Sequence, residues 1–282
     1  MISKKGFLYT ISAIILVSTL VFYSQNYLEK NSFREREIVF SSVLNSAEMI
    51  NDNLAFNLQT LLRLDISKNY DNNFANFIVL GDLNASSNPS TDLLAYKTFV
   101  DNNLFNLSGG SKVFTLSNLS DGQAEIFFGN SLEFDYSYDN GFVLLKKSNS
   151  GNTSTLNSVD LTLNLVQDIN SHSWSSTNGS TVVDVNYIDS NNAFTERVTI
   201  DPTLLNTLTI TFDDADSITF EVGLISSINN SVKLSNDTLT NINYSLTASY
   251  YPDSNNLPAL FNSNFSYIDS KIDYNSLVKL FD

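Results

Sequence analysis

The sequence holds a single histidine, the residue type most often used to carry protons in catalysis: His172, in the run Ser171-His172-Ser173-Trp174. A histidine beside serines is the raw material of a nucleophile triad, in which the imidazole takes the hydroxyl proton and later returns it. With 40 serines in 282 residues, however, some serine lies near any histidine by chance. The second chemical group is Asp213, Asp214 and Asp216, whose oxygens suit Ca²⁺. It lacks the glycine and distal glutamate of an EF-hand loop, and a turn between two strands explains it equally well. The chain has no cysteine, which excludes disulfides and thiolate metal sites. It also has neither a Gly-rich phosphate loop nor a His-Glu-x-x-His pair. The expectation is a protein that is not an enzyme and carries no cofactor, with the three aspartates as its one candidate for a metal.

Asn-x-Ser/Thr acceptors for glycosylation begin at Asn84, Asn106, Asn118, Asn152, Asn178, Asn229, Asn236, Asn243 and Asn264. The 38 Asn, 40 Ser and 21 Thr of this chain would generate about eight such triplets by chance, so the number reflects composition and not selection. That composition gives a wet, weakly charged surface. The net charge of -15 is concentrated after residue 37, where acidic groups dominate, while residues 1–37 are slightly basic. Such a body repels phosphate backbones and anionic headgroups, so nucleic acid is excluded as a partner, and so is a membrane surface bound through a basic face.

Positioning these groups falls first to a helix. From Phe7 to Tyr23 the chain carries no charge, and it stays helix-compatible to Leu28. Twenty-two residues rising 1.5 Å each span roughly 33 Å, enough for a bilayer core. Tyr9, Tyr23 and Tyr27 suit the two interfaces. Lys4 and Lys5 precede the segment while residues 29–37 sum to zero, which places the N-terminus in the cytoplasm and the body outside. Large residues at Val21, Phe22 and Tyr23 spoil a signal-peptidase site, so a retained single-pass anchor is favoured over a cleaved signal. The expected organisation is a basic leader (1–6), a transmembrane helix (7–28), an amphipathic helix or stalk (29–67) and an extracytoplasmic β-rich domain (68–282). Apolar residues at helical spacing define a packing seam of Phe40, Val43, Ala47, Ile50 and Leu54. Asn51 falls on the solvated side of that seam. A charge at Ile50 is therefore expected to loosen the structure, and one at Asn51 to be silent.

The run Lys4-Lys5-Gly6-Phe7, opening directly into the apolar helix, resembles the processing site of type IV pilin-like proteins. The resemblance implies a dedicated peptidase that cuts between Gly6 and Phe7 on the cytoplasmic side. It also implies partners among other pilin-like subunits, bound through the N-terminal helix. Ile11 stands where most major pilins carry a glutamate, which points to a minor pilin or pseudopilin with a structural or adhesive role. The likeness covers about the first 60 residues.

Beyond residue 67 the apolar period falls towards 2, as in Val159-Asp-Leu-Thr-Leu-Asn-Leu165, and twelve short runs between Phe77 and Tyr250 read as strands. One helix interrupts them at Asp92–Phe105. Residues 148–155 form a small, polar stretch that either subdivides the body or is a long hairpin loop, the second being favoured. The fold class is thus α+β: a long N-terminal transmembrane helix continuing as an amphipathic helix, then a mainly antiparallel β-sandwich head. Two other functions fit this plan, a single-pass anchored module recognising a sugar or protein and an anchored hydrolase built on His172.

Overall fold

The computed structural model describes residues 4–71, 74–83, 89–104, 111–115, 123–128, 132–137, 141–147, 155–213, 216–237, 242–251, 259–269 and 272–281. Helix α1 (Lys4–Leu62) runs without a break, and its described side chains begin at Leu16. The chain divides into two units, residues 1–50 and 51–282, so the last turns of α1 belong with the β-rich head.

The helix stops earlier than its apolar pattern indicates. Arg63 adopts φ 54°, and its N–H donates to the Thr60 carbonyl at 3.2 Å, which closes the last turn in the left-handed region. Glycine usually takes that position, and arginine gives no such signal in the sequence. Strand β1 (Leu64–Asp71) starts at the next residue, with Leu64 and Ile66 buried and Asp65 and Ser67 exposed. Residues 64–67 are therefore strand, not stalk.

The buried helix face also includes a residue expected to be solvated. Of the expected seam, the side chains of Phe40, Val43 and Ala47 lie outside the described residues, Ile50 is half-buried and Leu54 fully buried. Asn51, expected to face water, is only 5% exposed. Its amide nitrogen donates to the Lys279 carbonyl at 3.3 Å, and the Lys279 N–H donates back to its oxygen at 3.1 Å. The face that packs is Asn51, Leu54, Ala55, Leu58 and Leu62, still at helical spacing but with an amide at its first position.

After β1 come β2 (Phe74–Leu83), helix α2 (Pro89–Phe99) with a wide turn at Val100–Leu104, β3 (Ser111–Thr115), β4 (Gln123–Phe128), β5 (Leu132–Ser137) and β6 (Phe142–Lys147). Next are β7 (Thr155–Asn164), β8 (Ile169–Ser175), β9 (Thr181–Ile188), β10 (Ala193–Ile200) and β11 (Leu205–Phe212). The series ends with β12 (Ser217–Ile225), β13 (Ile228–Asn236), β14 (Ile242–Tyr251), β15 (Ala259–Asp269) and β16 (Ile272–Phe281). One sheet has the order β1-β2-β14-β7-β9-β10, and the other β16-β15-β4-β5-β6-β13-β12-β11-β8, with β3 pairing β15. All pairings are antiparallel except β7 with β9.

The head is thus mostly antiparallel sheet, and buried aromatics join the two inner faces as in a sandwich. Phe77 of β2 meets Phe128 of β4 with ring centroids 4.7 Å apart. The Tyr250 hydroxyl of β14 donates to the Asn230 carbonyl of β13 at 2.9 Å. Each sheet takes strands from both sides of residues 148–155, as in β14 with β2 and β6 with β13, so that stretch does not subdivide the head. Its residues 148–154 lie outside the described set.

Candidate functional site

His172 lies on β8, the last strand of its sheet, opposite β10, the last strand of the other. An edge strand leaves backbone groups open to any other strand, and the side chains of this one reach across to the other sheet. The Tyr187 hydroxyl of β9 is 2.8 Å from His172 Nδ1, and Nε2 is 2.5 Å from a Glu196 oxygen of β10. The second Glu196 oxygen accepts from the Trp174 indole N–H, also on β8. With the imidazole protonated at Nε2 every proton has an acceptor: Tyr187 donates to His172, and both His172 and Trp174 donate to Glu196. Phe194 stacks on Tyr187 at 5.1 Å and covers the assembly.

A second tie lies at the end of the same strands. Asp189, in the turn between β9 and β10, accepts from the backbone N–H of Asn191 at 2.8 Å and of Ile169, the first residue of β8, at 3.3 Å. Burial pushes its carboxyl up, but the N–H groups of Asn191, Asn192 and Ile169 outweigh that and hold it below the usual carboxylate range.

In connectivity Tyr187, His172 and Glu196 copy a triad, but the chemistry differs. Burial, and then the charges of Glu196 and Asp189, push the Tyr187 hydroxyl up to about 12. The group placed where a nucleophile would sit is therefore fully buried and held protonated at neutral pH. What the arrangement can do is fasten β8 of one sheet to β9 and β10 of the other. Tyr187, Glu196 and Trp174 were missed as site residues because they come from three strands. Only the alternation of β9, which turns Tyr187 inward, hints at the link.

The remaining candidates do not converge on this cluster. Asp213 and Asp216 flank the turn between β11 and β12, where the Phe212 N–H donates to the Asp216 carbonyl at 3.0 Å, and Asp214 lies outside the described residues. Among the described residues no group of three His, Asp or Glu could hold a metal ion. Of the glycosylation acceptors, Asn84, Asn106, Asn118 and Asn152 lie outside the described residues, while Asn178, Asn229 and Asn243 are exposed and Asn264 is half-buried. Asn236 is a correction: it is buried, with its amide turned to the Leu83 carbonyl at 3.5 Å, which closes it to sugar transfer in the folded protein. The processing residues Lys4, Lys5, Gly6 and Phe7 are described in backbone only, within α1. Among the described residues no helix is long and apolar enough to cross a membrane, and the side chains of residues 7–15 of the expected span are outside that set. No family model matches the chain, and neither a curated protein nor a solved structure does.

Proposed function

We propose that the chain is a membrane-anchored, non-enzymatic surface protein resembling a minor pilin or pseudopilin, with its β-rich body outside the membrane and a structural or adhesive role. The observation that carries this reading is a run of exposed apolar side chains. Every residue from Leu16 to Lys30 is exposed on an unbroken helix, and these include Leu16, Val17, Leu20, Phe22, Tyr27 and Leu28, each more than half exposed. Apolar surface of that extent is costly in water and marks contact with lipid or with other helices. The apolar side continues in sequence through Phe7–Ile15, behind the Lys4-Lys5-Gly6 junction.

Processing is read directly by mass spectrometry of the protein isolated from its own cells. A mature N-terminus at Phe7 supports the pilin-like reading, whereas an intact start at Met1 or Ile2 removes it. Fractionation tests the anchor separately. Recovery in the membrane or a filament fraction, with the body digested by protease added to intact cells, is the expected result, and a freely soluble intracellular protein overturns it.

A further inference from the structure

Where α1 gives way to β1, a groove of about 550 Å³ opens beside the ends of β1, β2 and β14. Its size falls in the range of small-molecule sites, roughly 300–1,000 Å³. Two apolar side chains face its opening, Phe56 of α1 and Leu80 of β2, exposed by 68% and 41%. Around them stand Arg63, Asp65, Asp82 and Asn243, a rim that offers donors and acceptors together.

The Tyr244 ring lines the bottom. Tyr244 lies across Gly81, where any Cβ would come within 2.8 Å of its hydroxyl, so the glycine at this point is what lets the ring reach under the groove. That hydroxyl is buried and has no hydrogen-bond partner among the described residues. The nearby Tyr136 hydroxyl, by contrast, donates to the Asp82 carbonyl. A buried hydroxyl is costly to leave unmade, and one lining a groove is a natural partner for a ligand hydroxyl.

We propose that this groove binds a neutral sugar, with Phe56 and Leu80 against the C–H face of the ring and Arg63, Asp65, Asp82, Asn243 and Tyr244 taking its hydroxyls. One guanidinium set against two carboxylates favours neither an anion nor a long polycation. Sugar hydroxyls both donate and accept, which matches the mixed rim. An extended peptide fits less well, because the backbones of β2 and β14 here are paired on both sides. The site lies wholly within residues 51–282, so its failure leaves the anchored reading untouched.

The test is titration of the purified full chain, in detergent micelles, with methyl glucoside, methyl mannoside, methyl galactoside and N-acetylglucosamine, followed by calorimetry and saturation-transfer NMR. A methyl glucuronide and a pool of uncharged hexapeptides serve as controls. Saturable binding of at least one neutral sugar is expected, weakened by about tenfold or more in Phe56→Ala, whose ring is largely exposed and dispensable for folding. Tyr244→Phe should weaken it roughly three- to tenfold while melting at the same or a higher temperature, because only an unsatisfied hydroxyl is removed. Absence of saturable sugar binding, binding unchanged in both variants, or preference for the glucuronide or the peptides overturns the proposal.

Discussion

Asn51 and Ile50 are neighbours on one helix, and the buried one is polar. The Asn51 amide offers a donor and an acceptor side by side, as a backbone peptide does, and Lys279 of β16 uses both. Because β16 ends its sheet, the amide occupies positions another strand would otherwise fill. Asn51→Ala strands the N–H and C=O of Lys279 and should cost about 1–3 kcal/mol. Ile50→Asp, at a half-exposed position, should cost less. Urea unfolding of the two variants, with hydrogen exchange at Lys279, decides the point, and a larger loss in Ile50→Asp would return the seam to the face first read from the sequence. A second residue couples to pH. Asp160 of β7 is held above its ordinary value of 3.8 by burial and then by Asp184, its neighbour across the parallel pair, with Arg197 pulling the other way. A raised folded-state pKa means that the folded state holds the proton more tightly, so stability falls as pH rises through that raised value. Asp160→Asn should therefore raise the melting temperature at pH 7 and lose its advantage below about pH 4, where the carboxyl is protonated in both states. An unchanged or lower melting temperature at pH 7 would show that the Asp160 charge is compensated by Arg197.

At the scale of the element, β8 shows where the sequence was silent. Ile169-Asn-Ser-His-Ser-Trp-Ser175 has almost no apolar alternation, because only Trp174 and Ile169 are half-buried and the rest is open to water. Its place is set by pairing with β11 and by Glu196, and neither can be read from its own residues. Strand β1 was hidden differently, since Leu64 and Ile66 extend an apolar helical pattern, and the break at Arg63 is conformational. In β15 the small Ser263, fully buried, interrupts the apolar beat of Ala259 and Phe261. Strands with one buried and one wet face, such as β9 and β11, were legible because alternation is the physical consequence of that burial. Glu196→Ala removes the acceptor of both His172 and Trp174, and should raise hydrogen exchange along β8 and shift the single tryptophan's emission to the red. Glu196→Gln keeps an oxygen for one of the two donors and should fall between. Wild-type exchange along β8 in the alanine variant would mean that pairing with β11 alone holds the strand.

For the whole head, the order of strands matters more than any one contact. β7 and β9 lie side by side and parallel in one sheet, yet the chain between them crosses to the other sheet as β8. β2 waits for β14, more than 150 residues later, and β4 for β15. Pairing at that separation costs loop-closure entropy before any contact is gained, so the head should fold slowly and as one unit. Residues 148–155 give the means to test this, because a polar stretch of that kind would join two domains if the head had two. A protease site inserted between Ser150 and Gly151 should be cut without separating the pieces. They should elute together in native gel filtration and part only in denaturant, because β14 remains between β2 and β7, and β13 between β6 and β12. Two independent domains would part at once after cutting and would unfold in two steps. Co-elution with a single unfolding transition is the outcome that strands interleaved across the cut require.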